Sequence, residues 1–311
     1  MTPTPQPVAA IDCGTNSTRL LIVDGDGRTL IRLMRITRLG DGVDATHKLN
    51  DDAIGRTLRV LGEFRVAMDD NGVARSRMVA TSAVRDAVNG DEMLDRASEA
   101  AAVQAELLSG EEEGRLAFLG ATADLLPTEG DDVVVDIGGG STELVAVAEG
   151  QVEAVSLDLG CVRLSERYLP DDPPLPEQLA AVVAAIDAAL HEAPRAVTAL
   201  RRLRPRSRLV GLAGTVSTLA ALDQQLAQYD YSRLHHATLT RQSVVQWCDV
   251  LAAEPARSRL ARPGMSQGRE DVIVGGALVL REVMSRFRFE ECIVSESDIL
   301  DGLAAGLLGA T

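Results

Sequence analysis

The sequence predicts two α/β domains, each built on the same strand–turn–strand unit. Three observations carry that prediction. The unit occurs twice at a fixed offset. Helical periodicities and short apolar runs alternate after each copy. The length, 311 residues with 46% hydrophobic side chains, suits two packed domains. Their cores must be aliphatic, because the chain has only four Phe, three Tyr and one Trp.

The first copy runs from Val8 to Val23 and the second from Val133 to Val147. At an offset of 124, Asp12, Gly14, Ser17, Thr18, Leu20 and Val23 meet Asp136, Gly138, Ser141, Thr142, Leu144 and Val147. Each copy reads as a buried strand, a tight glycine-containing turn and a second strand. A third strand follows in both, at 29–39 and 152–159, and both end in Leu-Gly (Leu39-Gly40 and Leu159-Gly160). After the first copy, Asn50 caps a helix predicted over 51–70. Ile54, Leu58, Leu61 and Phe64 form its apolar face, and Asn71-Gly72 stops it. Residues 77–81 and 103–108 read as strands, with Ser82-Ala83-Val84-Arg85 following the first. Ser109-Gly110-Glu111-Glu112 is a capping box that opens a helix to about 125. The junction is expected at 127–131, giving domains 1–127 and 128–311, with the last helix, 299–308, able to pack back on the first. The second domain should hold helices at 176–191, 216–228, 240–253 and 269–286, and strands at 208–212 and 292–295. A ligand would be expected in a cleft between two such domains.

Composition excludes several functions. The chain carries 31 basic and 46 acidic residues, a net charge of −15. That balance argues against a nucleic-acid partner or an anionic membrane surface, which both need a basic footprint. Only one of the basic residues is lysine, Lys48, and it follows His47, so the chain has no P-loop. The four cysteines, Cys13, Cys161, Cys248 and Cys292, form no Cys-x-x-Cys and read as reduced thiols of a cytoplasmic protein. The first residues lack the basic and apolar segments of a signal peptide, and no apolar run reaches membrane-spanning length. Gly-x-Ser-x-Gly, His-Glu-x-x-His and Gly-x-Gly-x-x-Gly are all missing. The adjacent His235 and His236 would point apart in a helix or strand. Five arginines in 201–208 fit either a solvated loop or a contact with a long polyanion.

The two Asp-x-Gly turns carry the chemistry. A tight turn after a buried strand can aim successive backbone N–H groups at phosphate oxygens, and glycine permits the close approach. Hydroxyls of Ser17, Ser141 and Thr142 add donors, and the strand-end Asp12 and Asp136 can hold Mg²⁺. Gly211-Leu212-Ala213-Gly214-Thr215 follows a strand and opens a helix, which suits either a phosphate contact or a plain connection. Glu111, Glu112 and Glu113 suit the first turn of a helix through its dipole, whether or not one of them is catalytic.

These motifs together resemble the exopolyphosphatase/guanosine pentaphosphate phosphohydrolase (Ppx/GppA) family. The resemblance rests on Ile11-Asp-Cys-Gly-Thr-Asn-Ser17, Arg38-Leu-Gly40, Ala80-Thr-Ser-Ala-Val-Arg85, Leu108-Ser-Gly-Glu-Glu-Glu-Gly-Arg-Leu116, Asp136-Ile-Gly-Gly-Gly-Ser-Thr-Glu143, Gly211–Thr215 and Pro263-Gly-Met-Ser-Gln-Gly-Arg-Glu-Asp271. It spans nearly the whole chain and implies the short form of the family. The implied fold is two ribonuclease H-like domains of the actin-like ATPase and sugar-kinase superfamily, facing an interdomain cleft. Glu113 becomes the expected catalytic base. Phosphate contacts are implied for Gly14, Thr15, Asn16, Ser17, Arg85, Gly138, Gly139, Gly140, Ser141, Thr142, Gly214 and Thr215. Asp136, Asp12 and Glu143 are the implied ligands of Mg²⁺ or Mn²⁺. The implied activity is release of orthophosphate from the end of inorganic polyphosphate, processively or distributively, by a homodimer. Guanosine pentaphosphate hydrolysis is the alternative, and a non-hydrolytic regulator binding guanosine penta- or tetraphosphate is a third. One departure stands out: family members carry an arginine near the end where this chain has Asp301.

Overall fold

The computed structural model describes residues 6–309; residues 1–5, part of the segment read for a leader, lie outside the described residues. The chain divides into two units, 1–120 with 299–311, and 121–298. The boundary therefore falls at 120/121 and not at 127/128. The segment expected to be a linker is bonded into the second unit: the Thr128 hydroxyl donates to the Arg206 carbonyl at 3.1 Å, and Asp131 N–H to Ser207 Oγ at 3.1 Å. The final helix, Ile299–Leu308, belongs with the first unit. It lies on that unit's sheet, and Gly302 approaches the Leu116 carbonyl so closely that a Cβ would sit 2.2 Å from the oxygen.

In the first unit the strands are β1 (Val8–Cys13), β2 (Ser17–Val23), β3 (Thr29–Ile36), β4 (Arg75–Ala80) and β5 (Ala105–Leu107). Their order is β3-β2-β1-β4-β5, antiparallel across the first three and parallel from β1 to β5. Central β1 is buried along its whole length, which explains why its sequence, apart from Asp12, is apolar on both faces rather than alternating. The helix Asp51–Asp70 starts where Asn50 accepts from Ala53 N–H at 2.7 Å. It ends before Gly72, whose φ of 61° only glycine adopts readily. Leu61 and Phe64 of that helix pack with Ile11, Leu20 and Met78 into one aliphatic core. A second helix, Gly90–Ala101, packs beside it and is not foreseen above.

The second unit repeats the plan with β6 (Asp132–Ile137), β7 (Thr142–Ala148), β8 (Gln151–Leu157), β9 (Arg208–Leu212), β10 (Thr238–Thr240) and β11 (Glu291–Val294). Its order is β8-β7-β6-β9-β11, with β10 added antiparallel at the edge. Both units thus have the ribonuclease H-like arrangement of the actin-like superfamily, and the 124-residue offset is a duplication of sheet topology. Helices Cys161–Tyr168, Pro176–Ala196, Ala213–Asp223, Arg241–Ala252 and Ile273–Phe287 complete the unit. No helix among the described residues is long and apolar enough to cross a membrane. All four cysteines are buried free thiols, and burial pushes those of Cys248 and Cys292 up to about 12, so neither offers a thiolate nucleophile.

One buried charge ties the second unit together. Arg259, 2% exposed, donates to the carbonyls of Leu251 and Glu254, each at 2.9 Å, to that of Glu270, and to Asp172 Oδ1 at 2.6 Å. Arg259→Met leaves those carbonyls without their donor, and should cost about 3 kcal/mol in urea unfolding. A loss below about 1 kcal/mol would show that the neighbouring backbone supplies other donors.

Candidate active site

The two glycine turns have the same internal geometry. Gly14 N–H donates to the Ser17 carbonyl at 3.0 Å, and Gly138 N–H to the Ser141 carbonyl at 3.0 Å. A Cβ on Gly14 would lie 3.1 Å from the Ser17 oxygen, and one on Gly138 3.1 Å from the Ser141 oxygen. The expected loop residues Gly14–Ser17 and Gly138–Ser141 therefore sit where backbone N–H groups can cradle an anion. In the first loop, the Thr15 hydroxyl is hydrogen-bonded to Ser82 Oγ at 2.9 Å, which fastens the loop to the end of β4. Asn16 is 6% exposed, and its side-chain Nδ2 is a buried donor with no protein partner. A phosphate oxygen would satisfy it.

The equivalent strand pairs differ in charge. Asp12 and Arg19 are register partners on β1 and β2, and the guanidinium donates twice to Asp12 Oδ2, from Nε at 3.0 Å and from a terminal nitrogen at 2.5 Å. Asp136 and Glu143 are the corresponding partners on β6 and β7. Opposed residues of antiparallel strands share a face, so two carboxylates stand side by side there. Asp136 is 7% exposed and Glu143 1%, and Ser156 Oγ donates to Glu143 Oε1 at 2.7 Å. Of the three expected metal ligands, Asp12 has its charge answered by Arg19. Asp136 and Glu143 have no arginine as register partner on the neighbouring strand.

The three adjacent glutamates separate by exposure. Glu111 and Glu112 point outward, 67% and 49% exposed, with Arg115 and Arg77 at 3.9 Å. Glu112 N–H donates to Ser109 Oγ at 3.2 Å, as expected of the helix cap. Glu113 is turned inward, with its side chain 13% exposed and Oε2 3.4 Å from Arg85 Nη1. Arg85 itself is held by the Leu108 carbonyl at 2.8 Å. Glu113 and Arg85, expected separately as base and phosphate contact, thus lie beside one another in the first unit.

One other expected contact is corrected. Thr142 is fully buried and its hydroxyl donates to the Leu159 carbonyl, so it staples β7 rather than facing a ligand. Thr215 is 1% exposed and packs against Gly276, where a Cβ would meet its hydroxyl at 2.4 Å, but that hydroxyl oxygen has no hydrogen-bond partner among the described residues, so its expected contact is not overturned. Gly214 lies under the guanidinium of Arg269, whose Cζ would be 1.8 Å from an added Cβ. Three arginines not singled out above lie against expected site residues: Arg269 against Gly214, Arg19 against Asp12 and Arg163 against Gly140. Arg269 lies inside a quoted motif, and Arg19 could have been found as the register partner of Asp12. Asp301 is not an orphan of the missing arginine: it accepts from Arg32 of β3 at 2.6 Å. Arg204, Arg206 and Arg208 face Asp131, Glu129 and Asp132, so the loop reading of the 201–208 arginines holds for these three.

His235 and His236 do not point apart. Their rings stack with centroids 3.9 Å apart, because His236 takes a left-handed backbone with φ 63°. Both approach Asp124, at 2.7 and 3.3 Å. His235 Nδ1 accepts from Glu296 N–H at 3.1 Å, which leaves its proton on Nε2, toward Asp124. A metal would need that Nε2 lone pair, so the trio is a hydrogen-bonded clasp. Burial raises the Asp124 carboxyl, but the hydrogen bond from His235 and the electrostatic attraction of the two imidazoles outweigh it and hold it below its ordinary value. Its contribution to stability is present above the ordinary Asp value of about 3.9 and is lost as pH falls through the lowered folded value. Asp124→Asn should therefore lower the urea midpoint at pH 7, with the difference closing in acid. A difference that persists unchanged at the lowest pH would refute this.

Similarity to known proteins gives the family. The sequence profile of the Ppx/GppA phosphatase family matches residues 21–310. The chain belongs to that family. Exopolyphosphatase 2 of Mycobacterium tuberculosis is 41% identical over 97% of this chain and 98% of its own. The crystal structure of an exopolyphosphatase-like protein superposes with a TM-score of 0.90 at 35% identity, covering 98% of this chain and 99% of that one. The Ppx/GppA member from Aquifex aeolicus gives a TM-score of 0.78 at 33% identity, with coverage of 98% and 99%.

Proposed function

We propose that this Ppx/GppA member is an exopolyphosphatase that removes orthophosphate units from the end of inorganic polyphosphate by attack of water. The observation that carries the reading is the selective burial of Glu113 beside Arg85, in a helix turn whose other two glutamates face solvent. A half-buried carboxylate next to a fixed arginine suits a general base that orients water and takes its proton. Arg85 and the loop N–H groups stabilise the equatorial oxygens of the transferred phosphoryl group. Asn16 Nδ2 supplies one more donor from the first loop. The name of the Mycobacterium tuberculosis relative supports polyphosphate as the substrate class.

Asp136 and Glu143 fit a divalent cation, because two buried, opposed carboxylates form an all-oxygen donor set. Mg²⁺ or Mn²⁺ bound there would offset charge on the phosphates. Asp12 keeps a different role in this reading, fixing Arg19 beside the first loop.

Orthophosphate release should be measured side by side from polyphosphate of defined length and from guanosine pentaphosphate, with Mg²⁺. The reading predicts faster release from polyphosphate. Preference for the pentaphosphate would transfer the same machinery to that substrate. Tight binding of either without release would instead make the protein a regulator.

A further inference from the structure

The second phosphate loop is held from behind by one helix. Its carbonyls at Gly138 and Gly139 accept from the first N–H groups of the Cys161–Tyr168 helix: Cys161 N–H to Gly138 O at 3.0 Å, and Val162 and Arg163 N–H to Gly139 O at 2.9 and 3.2 Å. Those donors have no partner inside a helix, and no side chain caps this one. The next carbonyl, Gly140, takes the Arg163 guanidinium, with Nε at 2.6 Å. Peptide groups are planar with C=O and N–H on opposite edges. Three successive carbonyls directed at the helix therefore turn the N–H groups of Gly139, Gly140 and Ser141 to the other side of the loop. The helix N-terminus adds positive potential behind them. Gly160 permits the close approach, since a Cβ there would lie 2.0 Å from the Gly139 oxygen.

The duplicated loop in the first unit uses other donors. Thr15 and Asn16 correspond to Gly139 and Gly140 at the 124-residue offset. The Thr15 carbonyl accepts from Gly40 N–H at 2.8 Å, and that of Asn16 from Thr37 and Arg38 N–H at 3.1 and 3.0 Å. Where the first loop is held by main chain, the second depends on a side chain at the corresponding carbonyl. Arg163 is 12% exposed, and its acidic neighbour Asp158 lies 4.0 Å away on the solvent side.

We propose that Arg163 is a positioning residue: by holding the Gly140 carbonyl it fixes the Gly140–Ser141 peptide so that its N–H meets a phosphate oxygen. The inference rests on the phosphate-loop reading above. Arg163→Met should lower kcat/KM for polyphosphate by about 10–100-fold, the scale on which small misplacements act. Arg163→Lys, which keeps a donor, should recover most of that loss. Arg208→Met is the control, because it removes the Asp132 ion pair from the same unit without touching the loop. It should lower the melting temperature and leave kcat/KM unchanged. Hydrogen exchange of the peptide covering 138–142, with and without tripolyphosphate, gives a readout independent of turnover. Protection by tripolyphosphate should appear in the wild type and in Arg208→Met, and should be reduced in Arg163→Met. Wild-type turnover together with wild-type kinetics and protection in Arg163→Met overturns the inference alone. Equal kinetic losses in Arg163→Met and Arg208→Met overturn it as well, since they would mark a purely structural effect. No turnover and no protection in the wild type overturns the reading on which the inference rests, and the inference with it.

Discussion

Glu113→Gln should lose about 10²–10⁴-fold in turnover while polyphosphate binding stays close to that of the wild type. The substitution keeps the size and the hydrogen-bonding oxygen of the side chain but removes its capacity to take a proton. Its neighbour Arg85 keeps its anchor on the Leu108 carbonyl at 2.8 Å, so the arginine should not collapse. The fold should be unaffected, because Glu113 has no capping duty; that falls to Ser109, which accepts from Glu112 N–H. Glu111→Gln and Glu112→Gln, on exposed positions of the same turn, should be silent in turnover. Equal losses at all three positions would mean that the helix dipole environment matters rather than a base. Full turnover in Glu113→Gln would remove the assignment.

Glu143→Gln carries the second large effect. Asp136 and Glu143 stand opposed across β6 and β7 as two buried carboxylates, the donor set proposed for the cation. Glutamine retains an acceptor for Ser156 Oγ but removes one charge. Added Mg²⁺ should raise the melting temperature of the wild type and have little effect on the variant. Hydrolysis should fall by about 10²-fold or more, the scale of lost charge stabilisation at a phosphoryl-transfer site. Asp12→Asn should behave differently: it leaves the Arg19 guanidinium without its carboxylate and should destabilise the first unit without altering the Mg²⁺ response. An undiminished Mg²⁺ shift and undiminished turnover in Glu143→Gln would rule out the carboxylate pair as the cation site.

Most of the architecture was legible in the sequence because the duplication is local. Each strand–turn–strand unit is read from contiguous residues, and an offset shared by six positions identifies two sheets of one topology. The Asp51–Asp70 helix was equally plain, since its cap, apolar spacing and stop lie within it. Helices Gly90–Ala101 and Cys161–Tyr168 were missed because neither opens with a side-chain cap. The second takes its N-terminal partners from loop carbonyls more than twenty residues upstream. The site was legible in residue type and less so in role. Glu113 stood out by motif, but only packing separates it from Glu111 and Glu112. Thr142 looked like a phosphate hydroxyl until a distant partner, the Leu159 carbonyl, claimed it. The divergence of Arg19 from Glu143 is visible in the alignment of the repeats, yet its meaning needs the register that pairs each with an aspartate.

The most direct test of the central claim is product analysis of polyphosphate digests by ³¹P NMR, with Mg²⁺, for the wild type and Glu113→Gln. The account predicts that orthophosphate appears from the first time points in the wild type, that chains shorten from their ends, and that both changes nearly vanish in the variant. Internal cleavage into mid-length chains with little orthophosphate, or equal orthophosphate release by both proteins, would contradict it.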